Sequence, residues 1–237
     1  MRLFRQRRLV AMSGVGAAFT PTSISGLQLW LDASQITGLN DGDGVATWLD
    51  MSGHTNNATQ GTSAQRPEYK TNQLNGLPGV RSDGTNDLMS GTIASISQPC
   101  TVVLLSRGVA PAVKSYQILV TPGSARCDIL YRSGTSVRLF AGAESPFVAA
   151  AWTNANIVIG LFDGSSSSLY LNGASPASGN PSTGGYTSGN FKIFDYDGSY
   201  SFSEAAYIFE VMIYNRKLNG DEVSQLRSYL NGKWQVY

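Results

Sequence analysis

Apolar runs of about four to seven residues recur along this chain at spacings of roughly ten to twenty residues, most of them closed by Gly, Pro or Ser. They include "CTVVLLSRG" (100–108), "SYQILVT" (115–121), "CDILYRSG" (127–134), "SVRLFAG" (136–142), "NIVIGLFDG" (156–164), "SLYLNG" (168–173), "NFKIFDYDG" (190–198) and "AYIFEVMIYN" (206–215). Runs this short, rich in β-branched and aromatic residues and punctuated by turn formers, read as successive strands. Many short strands at even spacing specify a sandwich or jelly roll. An earlier strand is expected around Leu27–Leu31, and another before the Asp83-Gly84 turn. The long polar stretch 54–79 carries turn signals at Asn75-Gly76 and Pro78-Gly79.

The last segment departs from this pattern. In "IYNRKLNGDEVSQLRSYLNGKW" (213–234), Asn219 can cap a helix, and Glu222 three residues on completes a capping box. Leu218 and Val223 fit a hydrophobic staple across that cap. Val223, Leu226, Leu230 and Trp234 lie on one helical face, and Asn231-Gly232 is read as the stop. This short amphipathic helix must lay its stripe on the edge or the open face of the sheet that the preceding strand enters.

With 237 residues, a single all-β domain can bury roughly 70–75% of its unfolded surface without staples. Charged residues are only 14%, against roughly 25% in average domains, and the 42% hydrophobic content excludes disorder. The net charge of +1 hides an asymmetry, because Arg2, Arg5, Arg7 and Arg8 supply four of the 17 basic residues. The remainder carries 13 basic against 16 acidic residues, a net of −3, without the broad basic footprint of a nucleic-acid binder. The start, "MRLFRQRRLVAMSGVGAAFT", resembles a secretory signal, but its apolar part is short and broken by Gly14 and Gly16. It is expected to remain as a basic arm over residues 1–22, ahead of a single domain at 23–237. No apolar run approaches the length of a membrane span.

Several ordered stretches together resemble the laminin-G-like, concanavalin-A-like jelly-roll family: "GLQLWLDAS", "GVATWLDMSGHTNNATQ", "RPEY", "NGLPGVRSDGTNDLM", "AAWTNANIVIGLFDGSSSSLYLNG" and the terminal "FEVMIYNRKLNGDEVSQLRSYLNGKW". The similarity runs over about residues 24–237. It implies an all-β, two-sheet antiparallel jelly-roll sandwich with one short C-terminal helix, and it makes the closing strand-plus-helix a mark of the fold rather than of an activity. Trp30, Trp48 and Trp152 fall on landmarks of that family and are expected in the core. Members serve as extracellular adhesion modules, secreted binding modules and virus structural proteins, often in phage virions.

Catalytic chemistry is not expected. Glycan hydrolysis needs two carboxylates flanking a sugar bond, and hydrolytic relatives carry an acidic E-x-D-x-x-E strand. The five glutamates, Glu68, Glu144, Glu204, Glu210 and Glu222, form no such pattern. Glu210 is read as an edge or salt-bridged residue. His54 is the only histidine, which removes most zinc and triad chemistry. No G-x-S-x-G, H-E-x-x-H or phosphate-cradling loop is present. No cofactor is expected, calcium being the one ion with candidate ligands: Asp41 and Asp43 in "DGDG", Asp195 and Asp197 in "DYDG". Asp-Gly pairs are also ordinary turn chemistry, and that reading is preferred. Cys100 and Cys127 share no metal-ligand spacing and read as two buried thiols, with a disulfide left open.

A glycan could stack on Tyr186, Tyr196, Tyr200 and Phe202, which cluster in a Gly/Ser-rich region and would equally suit a protein interface. The arm alternates arginine with apolar residues, and Arg2, Leu3, Phe4, Arg5, Arg7, Arg8, Leu9 and Val10 are expected to anchor it on a partner. The resulting expectation is a non-enzymatic structural or binding subunit of a phage virion, in a capsid decoration or a tail, attached through its arm. Its partners would be other virion proteins and copies of itself, with a glycan as a further ligand and neither membrane nor nucleic acid as a partner. The alternative is a secreted carbohydrate-binding or adhesion module, located outside the cell rather than in a virion.

Overall fold

The computed structural model describes residues 19–110, 115–117, 119–120, 126–132, 134–185, 189–196, 200–201 and 205–237. In chain order the strands are β1 (Leu27–Asp32), β2 (Thr47–Trp48), β3 (Ala58–Thr59), β4 (Glu68–Leu74), β5 (Leu77–Arg81), β6 (Met89–Thr92), β7 (Cys100–Gly108), β8 (Ser115–Gln117), β9 (Leu119–Val120) and β10 (Asp128–Arg132). They continue as β11 (Ser136–Phe140), β12 (Glu144–Ala149), β13 (Asn156–Phe162), β14 (Ser167–Leu171), β15 (Ala177–Gly179), β16 (Asn190–Ile193), β17 (Asp195–Tyr196), β18 (Tyr200–Ser201) and β19 (Ala206–Tyr214), and the helix α1 (Gly220–Trp234) follows. One sheet has the order β15-β14-β13-β7-β19-β5-β4, with β1 beside the C-terminal half of β19. The second layer consists of β12-β11-β10-β8 and β2-β3-β6-β16-β9, and β17 pairs β18 in a small hairpin. The ladders are antiparallel, so the chain is an all-β, jelly-roll-like sandwich with one short C-terminal helix.

The central strands of the large sheet are apolar on both faces because both faces are covered. Val102 and Leu104 of β7, Val158 and Phe162 of β13, and Ile208, Val211 and Ile213 of β19 point into the core between the layers. Their neighbours Val103, Leu105, Ile157, Ile159, Phe209, Met212 and Tyr214 point the other way, into a second cluster beneath α1. The helix supplies Val223, Leu226, Leu230 and Trp234 to that cluster, so it lies on the sheet's open face. Trp48 and Trp152 are core residues at 1% exposure. The indole of Trp152 lies so close to Gly108 that a Cβ there would come within 1.7 Å of its Nε1. Trp30 instead packs beneath the helix.

The helix starts as its capping pattern requires: Asn219 Oδ1 accepts from the Glu222 amide at 3.0 Å, and Glu222 Oε2 accepts from the Asn219 amide at 2.9 Å. Its end corrects the expected stop at Asn231-Gly232. The helix runs through Gly232 to Trp234 and closes on Gln235 in the left-handed region, at φ 51°. Trp234 is the last anchor of the buried stripe, and burying an indole outweighs the ~1 kcal/mol helix cost of one glycine. Asn231 is used differently: its Oδ1 accepts from the amides of Val236 and Tyr237.

A second correction concerns residues 54–79. Asn75-Gly76 does form a turn, with both residues at positive φ, but it joins β4 to β5, and Pro78-Gly79 lies inside β5. Gly79 is needed there because a Cβ would meet the Phe209 ring at 2.8 Å. Strand β4, "EYKTNQL", was not expected because it is a polar edge strand with a ladder only to β5.

The "WLDMSGHTNN" stretch is organised by Asp50, whose carboxylate accepts from the amides of Trp30, Ser52 and Asn56 and from the Ser52 hydroxyl. Asp87 is placed differently. It is 6% exposed and accepts from the Asp83 amide at 2.7 Å. Burial, aided by the charges of Asp83 and Glu68, pushes its pKa up to about 6. The folded state therefore holds this proton more tightly than the unfolded chain, and the associated stability is lost as pH rises through about 6. Asp87→Asn should be more stable than the parent by about 1–2 kcal/mol at pH 8, with the gap closing toward pH 4 in paired thermal melts. A gap that did not vary with pH would contradict this assignment.

Candidate binding surface

Strands β10, β11 and β12 turn alternate side chains to opposite sides. Ile129, Tyr131, Val137 and Leu139 enter the core. The register pairs Arg132 with Ser136, Arg138 with Phe147 and Phe140 with Glu144, which places these residues together on the other face. A register shift between Arg138 and Phe140 in the β11–β12 ladder brings Glu144 within reach of both guanidiniums. Glu144 Oε2 accepts from Arg132 Nε at 3.0 Å and from Arg138 Nη1 at 3.1 Å, while Arg132 Nη2 pairs with Oε1. Arg138 also lies over the Phe147 ring, 5.1 Å from its centroid, and that ring is 64% exposed. Nearby, Arg126 pairs with Asp128 at 2.6 Å and lies over Phe140. Among the described residues, three guanidiniums thus pair with two carboxylates, the Arg126–Asp128 pair buried and the Glu144 group more open.

This arrangement combines an exposed apolar ring with planar donors and one acceptor whose positions are fixed by a ladder. It can stack on a C–H face and bind a carboxylate or vicinal hydroxyls through a guanidinium fork. Arg138 spends Nε on Ser136 and Nη1 on Glu144, and its Nη2 has no acceptor among the described residues.

Elsewhere, a concavity of about 200 Å³ lies between the residues after β1 and strand β2, lined by Gln35, Ile36, Leu39, Thr47, Trp48 and Leu49. Asp32 borders it, but that carboxylate is held by Ser34 and by Lys233.

Residues singled out in the sequence are distributed as follows. The hairpin carrying Tyr196 and Tyr200 lies beside β8 and β9, next to the sheet that bears the arginines. The side chains of Asp195, Tyr196 and Tyr200, together with Tyr186, Asp197 and Phe202, lie outside the described residues, as does the arm with Arg2, Leu3, Phe4, Arg5, Arg7, Arg8, Leu9 and Val10. Asp43 serves its own turn, whereas Asp41 reaches across to residues of β4. Asp41 accepts from the Thr71 amide and hydroxyl and from Lys70, and the Thr71 amide followed by Lys70 holds its pKa below the usual value. Asp43 Oδ2 accepts from the amide and side chain of Asn40. No cluster of three or more His, Cys, Asp or Glu suited to a metal ion occurs among the described residues. The Arg132–Glu144–Arg138–Phe147 group escaped sequence reasoning. The alternation in "SVRLF" already turned Arg138 away from the core, but nothing local shows that the strand opening at Glu144 pairs with it through a shifted register.

No family model and no curated protein matches this chain. Solved structures do match it. The binding domain of botulinum neurotoxin DC, in complex with SialylT, aligns with 87% of this chain at 14% identity and a TM-score of 0.55, covering 52% of that chain. The ligand-binding domain of botulinum neurotoxin serotype D, in complex with N-acetylneuraminic acid, aligns with 86% at 11% identity and a TM-score of 0.60, covering 51%. The sialidase of Trypanosoma rangeli, in complex with sialic acid, aligns with 89% at 16% identity and a TM-score of 0.55, covering 33%. What they share with this chain is the fold. The chain spans about half the length of these toxin domains and a third of the sialidase.

Proposed function

We propose that this chain is a non-catalytic carbohydrate-binding module that takes an acidic glycan on the β10–β11–β12 face. Of the two readings open at the level of sequence, the binding module is favoured over the virion subunit. The observation that carries it is the exposed Phe147 ring fixed beside Arg138, with Glu144 joining Arg138 to Arg132. An aromatic ring receives the apolar face of a sugar, and a guanidinium binds a sugar carboxylate in two parallel hydrogen bonds. Proteins of similar fold hold sialic acid, which supports an acidic ligand. Two of those three are binding domains, which supports binding without turnover.

The test is a glycan array probed with the full chain, carrying sialylated, uronic-acid and neutral glycans. Acidic glycans should be retained, and no reducing sugar should be released from them. Phe147→Ala and Arg138→Ala should each weaken binding by about tenfold or more, which is about 1.4 kcal/mol, with melting temperatures within a degree or two of the parent. Retention of no glycan, or unchanged affinity in both variants, would overturn the proposal.

A further inference from the structure

The two cysteines of this chain meet across the sandwich. Cys100 opens β7 in the large sheet, and Cys127 immediately precedes β10 in the facing layer. Both are fully buried thiols, not joined by a disulfide in this structure. Their sulfur atoms are 3.4 Å apart, so the two side chains converge. They are separated by 27 residues of sequence, and nothing in their spacing indicated the contact.

We propose that Cys100 and Cys127 are a disulfide site, closed when the chain folds in an oxidising environment, and that the bond staples the two layers of the sandwich. A disulfide needs an S–S distance of about 2.05 Å, so the sulfurs must approach by little more than an ångström. The cost is the hydrogen bond that Cys127 Sγ donates to the Gly184 carbonyl at 3.1 Å. The oxidant is a small-molecule or protein disulfide. One cysteine thiolate attacks it, forming a mixed disulfide and releasing one thiol; the second cysteine thiolate then displaces the other. The chain loses two protons and two electrons, and the oxidant leaves as two thiols. The hydrogen bond to Cys100, together with burial, pushes the Cys127 thiol up, so the folded pair exchanges slowly and the bond forms while the segments are still open. Closing a loop of this length also constrains the unfolded chain.

The experiment refolds the full chain from denaturant in glutathione buffers of increasing oxidised fraction. Free thiols are then alkylated under denaturing conditions and the intact mass is read. The expected result is no alkylation in excess glutathione disulfide, a mass two hydrogens below the reduced chain, and a peptide linking Cys100 to Cys127. Reductant should lower the melting temperature of that product by roughly 5–10 °C. Cys100→Ala should melt identically with and without reductant. Two alkylated thiols at every buffer composition would overturn the proposal, as would cysteines captured only as glutathione adducts or as intermolecular dimers. Thiol counting does not depend on ligand binding, so this result stands or falls independently of the glycan reading.

Discussion

Trp234→Ala should lower the unfolding free energy by about 3–5 kcal/mol, the range for removing a buried large aromatic side chain. The indole is fully buried beneath the C-terminal end of α1, with its ring centroid 5.4 Å from that of Phe209. Its Nε1 donates to Glu210 Oε2 at 2.6 Å. Truncation leaves a cavity in the layer between helix and sheet and removes one donor from a carboxylate that is 1% exposed. Gln225, on the exposed side of the same helix, provides the control. Gln225→Ala should stay within about 0.5 kcal/mol of the parent in urea titrations. Equal, small shifts for both variants would mean that the helix does not anchor on the sheet.

Lys233→Met should destabilise by about 3 kcal/mol, because it removes the cation between two buried carboxylates. Asp32 and Glu210 are opposite one another in the β1–β19 ladder and are each 1% exposed. The Lys233 ammonium donates to Asp32 Oδ2 at 2.5 Å and to Glu210 Oε2 at 3.1 Å. Glu210 also accepts from Trp30 Nε1 at 2.8 Å and from the Tyr229 hydroxyl at 3.0 Å. Burial and then the Asp32 charge push the Glu210 pKa up, while Lys233 and the two indoles oppose them. Without the lysine, Glu210 moves further up, so the folded state takes a proton that the unfolded chain does not hold. The deficit of Lys233→Met should therefore be largest at neutral and alkaline pH and shrink as the pH falls toward the ordinary glutamate range. Addition of Asp32→Asn should recover part of it in a double-mutant cycle. A pH-independent loss, or recovery of nothing by Asp32→Asn, would mean that the methylene stem of Lys233 matters and its charge does not.

These two expectations differ in how far the sequence revealed them. The stripe of Val223, Leu226, Leu230 and Trp234 and the Asn219–Glu222 cap are local patterns, set by helical period and by the free amides of a first turn, and the structure places all of them as the sequence implied. The Glu210 network is not local. Phe209 and Glu210 are adjacent yet both face the helix, because the ladder to β7 shifts register between Ile208 and Glu210. A bulge of this kind reverses the alternation from which a side chain's direction is inferred. Glu210 was read as an edge or salt-bridged residue; it is salt-bridged, but on a strand paired along both of its sides.

The same division runs through the whole molecule. The central strands β7, β13 and β19 follow from the sequence alone, since strands covered on both faces are apolar at most of their positions. The sequence also determined the all-β class, the turn at Asn75-Gly76 and the capped helix, each of which depends on neighbours within a few residues. The edge strand β4 left no such mark, because "EYKTNQL" lies half in solvent and is polar at most positions. Tertiary structure alone decided which side chains meet. Arg132, Arg138, Glu144 and Phe147 become one surface only when three strands take a particular register. Cys100 and Cys127 touch only because the two layers pack face to face. Asp32, Lys233 and Glu210 converge only when the last turn of the helix settles over β1 and β19. The physical reason is the range of the forces involved. Periodicity, capping and turn preference act between residues close in sequence, whereas a binding face, a buried ion pair or a thiol contact depends on distances in space that the folded core alone fixes.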